Sequence, residues 1–349
     1  MRRKIYQELL QWKQRNGESA LLVQGARRVG KSYIVEAFAK AEYKSYILID
    51  FNLVDQQVKE MFEHDLVDLK TFFMKLTTYY GVKLYERESL IIFDEVQLFP
   101  RARSAIKYLV ADGRYDYIET GSLISIRENV KDILIPSEED HVDMYPLDFE
   151  EFLWANGNDT MMDFIRDCYR KKAPLGQALH RKAMDLFRQY LIVGGMPQAV
   201  NAFVKHNDFD EVDRVKRRIL NLYRDDIRKH AKGYEMKVEA IYDEIPSQMK
   251  NQNQHFKLSS LKQGARFDEY KDAMFWLSDA MIVNHCYNAT EPTFGLNLNR
   301  DRTLLKCYMG DTGLLISHAF DENGIVTGEV YKKLLLDKLE VNMGMVMEN

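Results

Sequence analysis

The sequence contains the stretch Leu21-Leu22-Val23-Gln24-Gly25-Ala26-Arg27-Arg28-Val29-Gly30-Lys31-Ser32, an apolar run followed by a glycine-rich turn, a lysine and a serine. A glycine, four residues and then Gly-Lys-Ser form the pattern of a phosphate-binding loop, which follows a buried strand and opens a helix. Gly25 and Gly30 allow the backbone to curl so that successive N–H groups point at phosphate oxygens. Residues 33–39 suit the helix, whose N-terminus attracts anions. The stretch therefore predicts a nucleotide site at one edge of an α/β sheet.

The side chains of this loop have separate expected roles. Lys31 supplies a point charge for the β and γ phosphates, and the Ser32 hydroxyl is placed to ligate Mg²⁺. Arg27 and Arg28 either contact phosphate or are simply solvated. The alternative for the whole loop is a plain strand-to-helix turn with a solvated lysine. The residues that we expect to bind the nucleotide are Gly25, Ala26, Arg27, Arg28, Val29, Gly30, Lys31, Ser32 and Tyr33.

Strands and helices alternate in the first part of the chain. Apolar runs at 45–51, 89–95 and 115–119 have strand length, and helical patterns cover 58–80 and 102–111. Alternation of this kind predicts a parallel sheet with helices on both faces and a ligand at the carboxyl ends of its strands. We therefore expect an α/β P-loop NTPase core over residues 1–146.

The predicted strand at 89–95 ends in two carboxylates, Asp94 and Glu95. Asp94 can hold a water of the Mg²⁺ shell, and Glu95 can polarise the attacking water. Small-molecule kinases with P-loops do not need such a glutamate, because their substrate supplies the nucleophile. The Asp-Glu pair therefore favours hydrolysis over transfer of the phosphoryl group to a substrate. Without a phosphate-binding loop upstream, the same two residues would indicate only a strand that ends at a polar surface. Thr120 and Ser122 end the next strand, where they either hydrogen-bond the γ-phosphate or lytic water, or form a turn.

The composition describes a globular protein of two or three domains. The chain has 349 residues, of which 46% are hydrophobic and 29% charged, with a net charge of −4. Its three cysteines form no Cys-x-x-Cys pair, which argues against a disulfide framework or a zinc site and favours the cytoplasm. No run approaches the roughly 18 apolar residues that cross a bilayer, so we expect no membrane contact.

From about residue 147 the helical patterns lose their strand punctuation. We expect a helical lid subdomain over 147–233, interrupted at Val193-Gly194-Gly195-Met196-Pro197. Residues 234–325 read as three helices and two apolar runs of strand length, the plan of a winged helix, which binds DNA or protein. The most basic stretch, 214–232, is either a solvated helix face or a phosphate-contacting one. Asp311-Thr312-Gly313 matches the triplet of aspartic proteases, but only one copy is present, so we do not expect proteolysis.

Five ordered motifs together resemble those of one family, the prokaryotic AAA-type P-loop ATPases that carry a C-terminal DUF4143 domain. They are the loop at 25–32, Ile91-Ile92-Phe93-Asp94-Glu95-Val96-Gln97, Thr120-Gly121-Ser122, the segment 145–152 and Gly194-Gly195-Met196-Pro197. The resemblance implies an ATPase core, a helical region, a winged helix and a final domain similar to restriction endonucleases. Residues 326–349 look like the start of that last domain, so we expect it to be truncated and carry over no nuclease activity.

These observations predict a cytoplasmic P-loop nucleotide hydrolase that uses Mg²⁺, and the resemblance implies that its nucleotide is ATP or ADP. The catalytic residues would be Glu95, Lys31, Thr120 and Ser122, and the metal would be held by Ser32 and, through water, by Asp94. Hydrolysis would be coupled to DNA, to a protein or to a second copy of the chain, and it would be slow in isolation if an arginine must come from a partner subunit. The alternative is a nucleotide-gated switch that presents the winged helix to its partner with little hydrolysis.

Overall fold

The structure is a computed structural model that describes residues 1–121, 137–251, 255–291, 295–320 and 343–349, with the single positions 329 and 333. The chain divides into two compact units. One consists of Arg3–Tyr145, and the other of Met1–Arg2 together with Pro146–Asn349. The first unit contains a parallel sheet, and the second is mainly helical.

The sheet of the first unit has the spatial order β2-β3-β4-β1-β5, and every neighbouring pair is parallel. Its strands are β1 (Ala20–Gln24), β2 (Ser45–Asp50), β3 (Ser89–Asp94), β4 (Asp116–Gly121) and β5 (Glu139–Asp143). The order places β4 between the strand that leads into the glycine-rich loop and the strand that ends in Asp94. This confirms the predicted α/β fold of a P-loop NTPase.

Helices cover this sheet. They are α1 (Ile5–Lys13), α2 (Lys31–Glu42), α3 (Gln56–Glu60), α4 (Leu69–Tyr80) and α5 (Pro100–Asp112). One hydrophobic cluster joins β2, β3 and β4 to α4 and α5, with the ring of Phe62 against those of Phe51, Phe72 and Phe93. The buried residues of α2 lie outside this cluster, and its Phe38 contacts Tyr6 of α1 edge to face. The apolar residues of the strands are thereby buried.

Two elements of the first unit differ from the sequence prediction. The single helix expected over 58–80 is divided into α3, a π-helical turn at Met61–Asp65 and α4, because Asp68 is extended and caps α4 by accepting from the backbone N–H of Lys70. Strand β5 was not predicted, since four of its five residues are polar or charged. It is a strand because its backbone pairs with β1 along its whole length.

The second unit contains helices and one antiparallel hairpin. The helices are α6 (Phe149–Ala155), α7 (Met161–Lys171), α8 (Gln177–Val193), α9 (Pro197–His206), α10 (Phe209–His230), α11 (Glu235–Lys250), α12 (Phe267–Asp279), α13 (Thr312–Ala319) and α14 (Met343–Glu348). The hairpin pairs β6 (Val283–Ala289) with β7 (Arg300–Met309). Within the described residues, no helix of either unit is long and apolar enough to span a membrane.

The region expected to form a winged helix is only partly as predicted. Of its three expected helices, the middle one is a 3₁₀ turn at Leu258–Ser260. The interruption expected near Pro246 is absent, and α11 continues through it. A proline cannot donate to the carbonyl four residues earlier, and that carbonyl, of Tyr242, accepts instead from the ring of His318 at 3.0 Å. The winged helix and the domain boundaries within 147–349 stay predictions.

In this unit the motif at 193–197 packs against the motif at 311–313, and the contact between them is structural. The Asp311 carboxylate accepts from the backbone N–H of Leu314 at 2.8 Å, which caps α13, and from that of Gly195 at 2.6 Å. A Cβ on Gly194 would lie 2.2 Å from Asp311 Oδ1, and one on Gly195 would lie 2.0 Å from the Leu147 carbonyl oxygen. The glycines are therefore needed for close packing, and the aspartate has a structural role.

Candidate nucleotide site

The glycine-rich loop runs from the end of β1 to the first residue of α2. Arg28 and Gly30 adopt left-handed backbone conformations, with φ of 71° and 97°. Such a conformation among successive residues turns backbone N–H groups to one side and creates an anion-binding concavity. Gly25 packs closely against the segment after β5, so a Cβ at this position would lie 2.3 Å from the Met144 carbonyl oxygen. The loop thus has the curled form that the sequence predicts.

Lys31 folds back across the loop. Its side chain is buried, and Nζ donates to the carbonyls of Gly25 and Ala26 at 3.0 and 3.1 Å. These carbonyls belong to the first two residues of the loop, whereas Lys31 follows its last. The ammonium group therefore lies inside the curve of the loop, where a phosphate would meet it.

A hydrogen-bonded cluster forms where α2, β3 and β4 meet. Ser32 Oγ donates to Asp94 Oδ1 at 2.7 Å, and Thr120 Oγ1 donates to the same oxygen. The Thr120 hydroxyl also accepts from the backbone N–H of Glu95 at 3.3 Å. Because β4 lies between β1 and β3, Thr120 reaches both the end of β3 and the residue that follows it. The structure thus brings together four of the residues predicted for the site.

Glu95 has an unusual backbone conformation. Its φ is 54°, and left-handed residues other than glycine, asparagine and aspartate are uncommon. The turn directs the chain away from β3 into the 3₁₀ helix Val96–Leu98, and the Gln97 side chain donates to the Glu95 carboxylate. Strained residues of this kind concentrate at functional sites. The sequence predicts no role for Gln97, and in the structure its side chain holds the Glu95 carboxylate.

The other predicted residues have different positions. Ala26 and Val29 have buried side chains, so only their backbone groups can reach a phosphate. Arg27 and Arg28 are exposed, and Tyr33 is 62% exposed. Ser122 lies outside the described residues.

One residue of the loop's surroundings was missed by the sequence analysis. Arg3 is buried, and its guanidinium group donates to the Val29 carbonyl at 3.0 Å and to the Tyr145 carbonyl at 2.6 Å. No local pattern marks it, because its two partners are 26 and 142 residues away in the sequence.

The donor set fits a nucleotide with Mg²⁺. Mg²⁺ prefers oxygen ligands and is usually held by one or two protein groups together with waters and substrate phosphates. The Ser32 hydroxyl and the Asp94 carboxylate supply two such oxygens side by side. The curled loop and Lys31 supply N–H groups and positive charge for phosphates. The residues present can therefore hold both groups.

Two family models match separate parts of the chain. Residues 17–153 match an AAA domain, and residues 184–323 match a domain of unknown function, DUF8612. The first match includes every site residue described above except Arg3, so these residues lie in a part of the chain that is similar to an AAA domain. The DUF4143 domain that the resemblance led us to expect is not among these matches. None of the curated proteins matches the chain.

The chain is also similar to solved structures at low identity. The Walker-type ATPase PABY2304 of Pyrococcus abyssi is 14% identical, with 91% of this chain and 95% of that chain covered and a TM-score of 0.49. The Aeropyrum pernix ORC1 protein, solved in complex with DNA, is 11% identical, with coverages of 93% and 94% and a TM-score of 0.32. Cdc6p of Pyrobaculum aerophilum is 12% identical, with coverages of 97% and 95% and a TM-score of 0.30. These values are too low to carry a conclusion about the function of this chain.

Proposed function

We propose that this chain binds ATP with Mg²⁺ and hydrolyses it at the AAA-type site. One observation carries the proposal: Asp94 Oδ1 accepts from both the Ser32 and the Thr120 hydroxyls, directly beside Glu95 and next to the loop that contains Lys31. A phosphate-binding loop, a metal-ligand pair and an adjacent carboxylate base are the parts that water attack on a γ-phosphate requires.

Each residue then has a definite task. The backbone of the loop and the Lys31 ammonium bind the β and γ phosphates, and Ser32 and Asp94 hold the metal, Asp94 through water. When bound, Mg²⁺ neutralises the charge that develops on the phosphate oxygens. Glu95 orients the attacking water and accepts its proton. Thr120 holds the Asp94 carboxylate in place.

Nucleotide binding by wild type beside Lys31→Ala tests the first part of the proposal. The variant loses the buried ammonium group, so its affinity for ATP should fall by about a hundredfold, as expected for one charge-assisted contact worth up to about 3 kcal/mol. Lys40→Ala is the matched control, because Lys40 is exposed and pairs with Glu36 at the far end of α2. Equal affinity in the Lys31 and Lys40 variants would contradict a nucleotide site at this loop.

A second function, a nucleotide-gated switch, is supported by the hydrogen bonds that Lys31 and Ser32 make within the site. Lys31 donates hydrogen bonds to the Gly25 and Ala26 carbonyls, and Ser32 donates one to Asp94. When nucleotide binds, Lys31 would exchange its partners for phosphate and Ser32 would exchange its partner for the metal. A switch predicts tight binding, slow release and a partner affinity that depends on the nucleotide, without turnover. An ATPase predicts Mg²⁺-dependent phosphate release that the partner stimulates. Phosphate release with excess Mg²⁺ or with a chelator separates the two.

The partner that we propose is DNA or a protein, and the charges of the second unit bear on the choice. In a winged helix, α12 would be the helix that enters a groove, but its exposed residues include Asp268, Glu269 and Asp272, which repel phosphate. Helix α10 offers exposed cations instead, at Arg214, Arg218 and Lys229, and the exposed Lys232 follows its end. A DNA contact through α10 is therefore better supported than one through α12.

Membership of the DUF4143-containing family and a cytoplasmic location stay predictions.

A further inference from the structure

The guanidinium group of Arg3 connects the phosphate-binding loop to the segment after β5. Nη1 donates to the Val29 carbonyl at 3.0 Å and Nη2 to the Tyr145 carbonyl at 2.6 Å. Arg3 is only 7% exposed. Hydrogen bonds from charged donors are about twice as strong as neutral ones, and a planar guanidinium with two donors in fixed positions also fixes the direction of each acceptor. Arg3 therefore determines where the Val29 carbonyl points.

The orientation of that carbonyl determines the orientation of the next N–H group. The peptide bond between Val29 and Gly30 is trans and planar, so the Gly30 N–H points opposite to the Val29 carbonyl. The carbonyl is directed toward the guanidinium group of Arg3, a residue outside the loop at 25–32. The Gly30 N–H is consequently directed toward the inner side of the loop, where the phosphates are expected.

Sterics alone do not hold this peptide plane. Gly30 has a φ of 97°, and glycine reaches positive and negative φ with almost equal ease. Rotation of the Val29–Gly30 peptide would turn the carbonyl oxygen inward, toward a phosphate that it would repel. The hydrogen bond from Arg3 favours the orientation that presents a donor.

We propose that Arg3 is a positioning residue for the nucleotide phosphates, and that it acts by holding the Val29–Gly30 peptide so that the Gly30 N–H faces them. This inference rests on the proposed nucleotide site. It adds a residue from outside the glycine-rich loop to the groups that determine phosphate affinity. It also predicts that the effect of Arg3 falls on the phosphates and not on the nucleoside.

The test compares the affinities of ADP and adenosine in Arg3→Met, Arg3→Lys and wild type. Arg3→Met removes both hydrogen bonds, so the affinity for ADP should fall about tenfold, which is about one net hydrogen bond, while adenosine binding is unchanged. Arg3→Lys keeps the charge but has a compact donor in place of the planar fork, so its loss should be smaller but measurable. Arg15→Met is the matched control, because Arg15 is a surface arginine of the same unit that binds Asp140 at 2.7 Å.

The outcomes separate this inference from the proposed function. If Lys31→Ala loses ADP affinity but Arg3→Met and Arg3→Lys bind ADP like wild type, the nucleotide site stands and the role of Arg3 is overturned. Equal losses for ADP and adenosine would also overturn it, because they indicate a general structural defect. If wild type binds ADP no better than Lys31→Ala does, the proposed function fails and the inference with it. Should Arg3→Met not fold, Arg3→Lys decides by the same comparison.

Discussion

A single carboxylate oxygen connects the parts of the site at the scale of residues. Asp94 Oδ1 accepts from the hydroxyls of Ser32 and Thr120, so one atom joins the start of α2, the end of β3 and the end of β4. Thr120 is fully buried and has a second bond, from the Glu95 N–H. The position of the proposed metal ligand and that of the proposed base therefore depend on the same hydroxyl group.

Replacement of Thr120 by valine should reduce turnover more than binding. Valine keeps the shape of threonine but cannot donate to Asp94 or accept from the Glu95 N–H. We expect a decrease in kcat of about tenfold, equivalent to about 1.4 kcal/mol, with the affinity for ATP nearly unchanged. Thr120→Ser keeps the hydroxyl and should retain most of the activity. Steady-state phosphate release measures both variants, and equal kcat in the two would contradict this role.

Several residues of the candidate site could be proposed from sequence because their chemistry and spacing are local. Lys31 and Ser32 follow the glycines directly, and Asp94 and Glu95 end an apolar run. Arg3 and Gln97 could not be assigned roles. The contacts of Arg3 reach residues far along the chain, and the contact of Gln97 depends on the left-handed turn at Glu95, which no pattern of residue types reveals.

At the scale of elements, a buried salt bridge joins α5 to the sheet. Arg103 of α5 donates to both carboxylate oxygens of Glu139 on β5, at 3.2 and 2.7 Å. Glu119 of β4 is fully buried on the same side, and burial raises its pKa well above the ordinary value, with Glu139 adding to the effect. Burial also opposes ionisation of Glu139, but Glu119 and Arg103 outweigh it and lower the pKa of Glu139. The pKa values of the two buried carboxyl groups are thus shifted in opposite directions.

Replacement of Glu119 by glutamine should change how stability depends on pH. The folded state keeps the Glu119 proton above pH 4.5, where the unfolded state has lost it, so this residue lowers the stability of the wild type as pH rises. Glu119→Gln has no such titration. Its free energy of unfolding, measured in urea, should therefore gain on that of the wild type between about pH 4 and 7.

Arg103→Met provides the contrast, because it removes the guanidinium group that pairs with both oxygens of the buried Glu139 and should cost about 3–5 kcal/mol at neutral pH. If the wild-type and Glu119→Gln stabilities follow parallel curves between these pH values, Glu119 is not protonated in the folded protein.

The contact between Asp311 and Gly195 leads to a prediction about the second unit. Asp311→Ala removes the cap of α13, a loss of about 0.5–2 kcal/mol, and leaves the buried Gly195 N–H without its acceptor, a loss of about 1–3 kcal/mol. Asp208→Ala is the matched control. Asp208 caps α10 by accepting from the Asp210 N–H at an exposed position. Urea unfolding should show a clearly larger loss for the Asp311 variant, and equal losses would contradict a buried structural role.

The elements that the sequence analysis missed depend on contacts from other parts of the chain. Strand β5 has one apolar buried residue, Val142, and its buried Glu139 is paired with Arg103, which lies in α5. Helix α11 passes Pro246 because His318 supplies the hydrogen bond that the proline cannot. Local sequence patterns predict an element when its own residues determine its structure. Strand β5 and the part of α11 around Pro246 depend instead on contacts from residues elsewhere in the chain.

At the scale of the whole molecule, charge is unevenly distributed along a chain whose net charge is −4. Within α10, Lys216 is buried, and burial lowers its pKa to about 8. Arg217 pairs with Asp213, and Arg228 with Glu239. The basic stretch 214–232 is thus partly a set of internal contacts. Its exposed part, with Arg214 and Arg218 one helical turn apart, is the portion available to an anionic partner.

If duplex DNA is the partner, binding should depend on this exposed part of α10. The double variant Arg214→Gln with Arg218→Gln should reduce the slope of log affinity against log salt by about 2, one unit for each lost phosphate contact. Lys271→Gln on the exposed face of α12 should leave the slope unchanged, because acidic neighbours surround that position. Fluorescence anisotropy at several salt concentrations measures the slopes. An effect of the Lys271 variant alone would support the winged-helix mode instead.

The proposal that this chain hydrolyses ATP is tested most directly by phosphate release from saturating ATP and Mg²⁺ in wild type and Glu95→Gln. We predict that both proteins bind ATP equally, whereas release by the variant falls by about 10²–10⁴-fold, the contribution of a general base. Glu8→Gln, an exposed position on α1, should behave like wild type. Equal release by wild type and Glu95→Gln would remove Glu95 from the mechanism, and no release by wild type would contradict the ATPase.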